Sequence, residues 1–169
     1  MAVMTIAQIG KLCDDQDMKN NFLTSPMPRA LTLAKVAAGM GEVPVAAIIT
    51  SPDGTVIAEA SNRVERDRDP TAHAEILAIK AACEALGQTR LDDCDLWVTL
   101  EPCPMCAGAI AHARIRRLYY GAEDKKSGGV SHGARVFSHP TCHHKPEVMS
   151  GLMAEESGVM LSKFFQEKR

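Results

Sequence analysis

Along the chain the apolar positions fall into stretches whose period switches from helical to extended and back. Ser25-Pro26 predicts a helix start, with Ser as cap and Pro in the first turn. Leu31, Ala34 and Ala38 mark its buried side, and Gly39 and Gly41 end it. Val43–Thr50 is a continuous apolar run, the pattern of a strand covered on both faces. Pro52-Asp53-Gly54 turns the chain into a second strand, Thr55–Ala60. A charged loop, Glu65–Asp69, leads through Pro70 to helix-forming sequence over Ile76–Leu86. Asp95–Leu100 reads as a strand, Ala107–Ala113 as a helix and Arg116–Tyr120 as a strand. Gly121–Gly133 is glycine-rich and carries Lys125 and Lys126, in the position of a substrate lid. Glu155–Lys168 is an amphipathic helix with Leu161, Phe164 and Phe165 on its apolar side. Helix, hairpin, helix, strand, helix, strand, loop and helix in that order predict an α/β sandwich.

Residues 1–26 stand apart. Asp14, Asp15, Asp17, Lys19, Asn20 and Asn21 form a polar run without period, so an N-terminal extension is expected before a single domain spanning 27–169. With 46% hydrophobic and 24% charged residues among 169, that domain has a composition suited to a sizeable core. A net charge of -2 excludes a generally basic nucleic-acid binder; RNA would need a local patch, for which Lys125, Lys126, Arg135 and Lys145 are available. No apolar run reaches membrane-spanning length and the N-terminus lacks a secretory pattern, so a cytoplasmic protein that engages no membrane is expected. In that compartment the six Cys are not expected to form disulfides, and Cys83 and Cys94 read as small buried residues.

The chemistry lies in two runs, Thr71-Ala72-His73-Ala74-Glu75 and Glu101-Pro102-Cys103-Pro104-Met105-Cys106. One His and two Cys supply three ligands to a zinc ion and leave the fourth tetrahedral position for water, whereas a structural zinc has all four filled by protein. Cys103 and Cys106, three apart, share one helix face. His73 and Glu75, two apart, converge only in a helix's first turn. Both runs precede helical sequence, which puts the metal between two helix N-termini, where partial positive charge favours thiolates. Glu75 is then a proton carrier beside the metal, suited to hydrolytic deamination of an amino-substituted ring carbon. A lone Cys-x-x-Cys is also compatible with a redox pair or half of a structural zinc site; the two runs together are specific. His139, His143 and His144 follow in a His-rich stretch with no Cys or carboxylate spacing that completes a second familiar metal site.

The His-x-Glu…Pro-Cys-x-x-Cys arrangement is the signature of zinc nucleobase deaminases. Together with Glu42-Val43-Pro44-Val45, Asn62-Arg63, Met105-Cys106-Ala107-Gly108-Ala109-Ile110, Tyr120-Gly121-Ala122, Asp124 with Lys126, and Phe164-Phe165, it makes the chain resemble bacterial tRNA adenosine deaminases of the TadA type, within the cytidine deaminase-like superfamily, from about Met27 to the C-terminus. The resemblance implies a three-layer α/β/α sandwich around a mixed five-stranded sheet, one zinc per subunit and a homodimer. It implies conversion of adenosine to inosine at the wobble position of a tRNA anticodon stem-loop. On that resemblance His73, Cys103 and Cys106 are ligands, Glu75 is the proton shuttle, and Asn62, Asp124, Lys126, Phe164 and Phe165 contact the substrate. Ala46 departs from the family's usual Gly, and His143-His144-Lys145 from its Asn-His-Arg. The same zinc chemistry also suits a deaminase of a free base or nucleoside of guanine or cytosine type. A zinc-stabilised RNA-binding module without catalysis is a third reading, against which the intact Glu75 argues.

Overall fold

The computed structural model describes residues 25–168; the extension expected over 1–26 lies almost wholly outside them. Helix α1, Met27–Gly39, opens the domain. Its first backbone N–H, that of Met27, donates to Ser25 Oγ at 3.1 Å. Ala37, not Ala38, completes the buried stripe begun by Met27, Ala30 and Ala34. Strands β1, Ala46–Thr50, and β2, Val56–Ser61, form an antiparallel hairpin with a register shift at Ile49/Thr50. Within the stretch read as a charged loop, Val64–Asp67 forms a single helical turn, α2. Helix α3, Ala74–Leu86, ends at Gly87 in the left-handed conformation. There follow β3, Asp95–Leu100; α4, Pro104–Ala113; and β4, Arg117–Ala122. A 3-10 turn at Val136–Ser138 precedes β5, Glu147–Ser150, and α5, Ala154–Glu167, closes the described chain.

The sheet has the order β2-β1-β3-β4-β5. β1 is antiparallel to both of its neighbours, while β3, β4 and β5 run parallel, so the sheet is mixed. Alternation along β1 explains its unbroken apolar sequence. Ala47 and Ile49 face a core closed by α3 and α4, through Ala74, Ala78, Ala82, Ala107 and Ile110. Ala46 and Ile48 face the opposite core, with Met27, Ala30 and Ala34 of α1 and the Trp97–Tyr119 pair, whose rings stack 3.7 Å apart across β3 and β4. Helices on both faces make the three layers. The Ala46 methyl therefore packs under α1 and takes no part in lining the cavity described below. No helix among the described residues is long and apolar enough to cross a membrane.

Candidate active site

Both chemical runs fold into strand-to-helix or loop-to-helix junctions whose capping residues are the site residues themselves. His73 is the N-cap of α3 with extended backbone (φ -71°, ψ 149°), and Cys103 is the N-cap of α4 (φ -69°, ψ 170°). Their carbonyls accept the first intrahelical bonds, from Leu77 N at 3.0 Å and Ala107 N at 2.8 Å. The His73 side chain makes no bond to its own helix and Cys103 Sγ engages Cys106 in the first turn of α4, so both face the space between the two N-termini. Pro104 at the first helical position of α4 fixes the entry angle without losing a needed N–H. Asp69 Oδ1 accepts from Thr71 N at 2.7 Å and Thr71 Oγ1 at 2.6 Å, which stiffens the approach to His73.

His73, Cys103 and Cys106 bring one nitrogen and two sulfurs within 4.8 Å of one another, the sole group of this kind among the described residues. His73 Nδ1 lies 3.6 Å from Cys103 Sγ and 3.5 Å from Cys106 Sγ. Metal–sulfur and metal–nitrogen bonds of about 2.3 Å and about 2.0–2.1 Å at a tetrahedral angle separate S from N by about 3.6 Å. The donor set thus has the spacing that a tetrahedral ion would need, with Nδ1 as the His73 nitrogen nearest the two sulfurs, and both Cys are free of disulfide. In the metal-free chain the Cys103 thiol is held down to about 4, chiefly by a hydrogen bond from Cys106, with burial opposing and His73 assisting. Cys106 is driven up in turn by retaining the shared proton beside Cys103 and by burial. His73 is raised by its bond to Cys103.

Glu75 stands in the first turn of α3 and is 3% exposed. Burial raises its carboxyl above the ordinary carboxylate range, against the opposing bond from its own backbone N–H. It lies against Cys106 yet is not a member of the three-donor group.

His73, Glu75 and Cys103 line a cavity of about 430 Å³, together with Asn62, Asp124, Ser127, Phe164 and Phe165. That is a size suited to a small organic ligand. Phe164 is buried and Phe165 half-exposed, their rings meeting edge to face at 5.4 Å between centroids. Lys168 Nζ lies 4.9 Å from the Phe164 ring centre and donates to Gly41 O at 2.8 Å, which ties the end of α5 to the α1–β1 turn. Lys126 lies beside this cavity with its side chain exposed and outside the lining; its backbone N–H donates to Asp124 Oδ1 at 3.0 Å. His144 Nε2 donates to Ile115 O at 2.7 Å and His139 Nδ1 lies 2.8 Å from Thr141 Oγ1, so each ring has a local bond.

Two buried carboxylates beside the site carried no signal at the sequence level beyond their presence in the resembling segments. Glu42 accepts from Asn62 Nδ2 at 3.1 Å, Glu65 N at 3.3 Å and Arg66 N at 2.7 Å. Glu101 is enclosed by the loop that follows β4; burial tends to raise its carboxyl, but the backbone and ring N–H of His132, with those of Asp124 and Ser131, hold it below the usual range.

The family model of MafB19-like deaminases matches residues 24–164. A tRNA-specific adenosine deaminase of Agrobacterium fabrum is 57% identical over 143 residues, 85% of this chain and 93% of that protein. The chain belongs to the tRNA-specific adenosine deaminase family. Its enzymes are hydrolytic deaminases, and the match spans both metal-spaced runs. A solved structure from a study of A-to-I editing by tRNA:A34 deaminases superposes with a TM-score of 0.78 at 57% identity, covering 80% of this deaminase and 97% of that chain. The guanine deaminase from Nitrosomonas europaea shares the fold at 25% identity, with a TM-score of 0.72 over 83% of each chain.

Proposed function

We propose that this deaminase converts adenosine to inosine at the wobble position of a tRNA anticodon loop, with zinc held by His73, Cys103 and Cys106, one ion per subunit. The observation that carries the reading is buried Glu75 beside three donors of tetrahedral spacing, in a chain 57% identical to a tRNA-specific adenosine deaminase. Zinc at these donors would supply Lewis acidity that makes water nucleophilic near neutral pH.

The chain's own residues account for the proton traffic. As the water oxygen adds to C6 of adenine, Glu75 takes one of its protons and passes it to ring N1. The same carboxylate then carries the second proton to the exocyclic nitrogen; the C6–N bond breaks, ammonia leaves and the C6 carbonyl of inosine remains. Burial suits Glu75 to this work, because a carboxyl raised above its ordinary range is a stronger base than an exposed carboxylate. Asn62, with one amide N–H engaged by Glu42, retains its carbonyl oxygen and second N–H for the edge of the base. Phe164 and Phe165 offer apolar surface to a splayed nucleotide, and Asp124 and Lys126 stand where flanking nucleotides would pass.

An anticodon loop suits such a cavity because its bases can be turned out at lower cost than those of a duplex. In this reading residues 27–169 are the catalytic domain, 1–26 an extension, the enzyme a cytoplasmic homodimer, and the tRNA anticodon stem-loop its partner. The test is inosine formation on a minimal anticodon stem-loop, with free adenosine, cytidine and guanine assayed in parallel. Turnover of the stem-loop alone is expected. Deamination of a free base with none on the stem-loop would retain the hydrolytic chemistry and overturn the tRNA assignment.

A further inference from the structure

Glu101 ends the stretch that leaves β3, immediately before the Pro102-Cys103-Pro104 turn. Its side chain is fully buried yet accepts five hydrogen bonds from one loop. Oε1 takes the N–H groups of Val130, Ser131 and His132 at 3.2, 2.8 and 2.9 Å. Oε2 takes Asp124 N at 3.1 Å and His132 Nδ1 at 2.7 Å. Residues 123–133 contain neither helix nor strand, so this carboxylate stands in for the backbone partners that regular structure would provide.

The loop is also seated on the metal-spaced turn. Gly129 N donates to Pro102 O at 2.8 Å. A Cβ added at Gly129 would lie 2.5 Å from Pro104 N, and one at Gly128 would lie 2.5 Å from Glu101 Oε1, so no side chain fits at either place. The loop that brings Asp124 and Ser127 to the cavity rim is therefore built on the same turn that carries Cys103. His132 closes the arrangement from outside. Its ring is 27% exposed and lies between buried Glu101 and surface Glu123, whose Oε2 is 3.8 Å from Nε2.

The geometry points to Glu101 and His132 as a pair of positioning residues that set the rim loop over the cavity and so govern how tightly the RNA substrate is held. Neither contacts the reacting atoms; both act through Asp124 and Ser127. The buried carboxylate organises the loop, and the ring N–H of His132 supplies the side-chain bond that fastens the loop's far end to that carboxylate, beside the Tyr120 Oη–Ser131 Oγ bond at 2.6 Å that ties the same end to β4. This inference rests on the stem-loop reading above.

The experiment compares the wild-type enzyme with His132→Ala and His132→Asn. Three quantities are read: amide hydrogen exchange over 124–132, steady-state kinetics on the anticodon stem-loop, and zinc per chain. For His132→Ala, exchange at Val130 and Ser131 is expected to accelerate at least about tenfold, and KM to rise about tenfold, as loss of a charge-assisted bond implies. The value of kcat should stay within about twofold and zinc content should not change, because the metal-spaced turn remains bonded to Gly129. Asn, whose amide N–H reaches a neighbouring carboxylate, should restore both exchange and KM. Unchanged exchange and KM in His132→Ala would overturn the proposal. So would a joint fall of kcat and zinc, or failure of the Asn variant to rescue, since either makes His132 merely structural. Exchange needs no substrate, so absence of wild-type turnover on the stem-loop would count against the substrate reading without deciding the loop's.

Discussion

Asn62 Nδ2 donates to Glu42 Oε2 at 3.1 Å, and this bond fixes which end of the amide faces the cavity. A flipped amide would set its carbonyl oxygen against a buried carboxylate. Glu42→Ala removes that selection and also the acceptor for the first N–H groups of α2. Loss of hydrogen bonds to a charged group costs about 1.5–3 kcal/mol. The expected result is a fall in kcat/KM on the stem-loop of about ten- to hundredfold. An unchanged value would remove Asn62 from the recognition of the base.

Glu75→Gln keeps the size of the side chain and removes its proton-carrying capacity. Turnover should fall by about 10²- to 10⁴-fold, the usual contribution of a general acid–base group. Metal analysis should give the wild-type zinc content, because Glu75 lies outside the three-donor group. Loss of zinc from this variant would make Glu75 a ligand.

Metal affinity should rise with pH. In the metal-free chain His73 and Cys106 are both raised, so each keeps its proton to higher pH than usual and must release it to bind an ion. Lower pH favours the protonated, metal-free state, and higher pH favours the deprotonated donors. A competing chelator should therefore strip zinc more readily at about pH 6 than at about pH 8. The same titration on Cys103→Ala should show weak binding at every pH. A pH-independent affinity in the wild-type chain would mean that a different ligand set is in use.

Away from the site, Arg116 makes a paired contact to Asp95, with Nε–Oδ1 at 2.9 Å and Nη2–Oδ2 at 2.8 Å. Asp95 is 6% exposed at the start of β3. Arg116→Ala strands that charge and should cost about 2–3 kcal/mol, seen as a fall in Tm of about 5–10 °C. Arg117→Ala, which breaks an ion pair with the exposed Glu147, should change stability by less than about 1 kcal/mol. Equal losses from the two variants would contradict the difference in burial.

The sequence by itself determined the metal-spaced donors, Glu75 and the order of most elements. The reason is locality: the spacings His73–Glu75 and Cys103–Cys106 are fixed within one helical turn, and the apolar run ending in β1 records burial on both faces. The hairpin and β3 were legible for the same reason. Local pattern was silent where partners are distant. β5 has only four residues, mostly exposed, and owes its existence to pairing with β4, so it enters at the sequence level only through the resemblance. The turn of α2 has no buried residue, and the buried carboxylate of Glu42 accepts N–H groups of two of its residues. The choice of Nδ1 on His73, the side of the sheet on which the Ala46 methyl packs, and the enclosure of Glu101 by the loop over 124–132 likewise depend on tertiary structure. Each requires atoms brought together from segments far apart in sequence, and no periodicity along the chain encodes such a meeting.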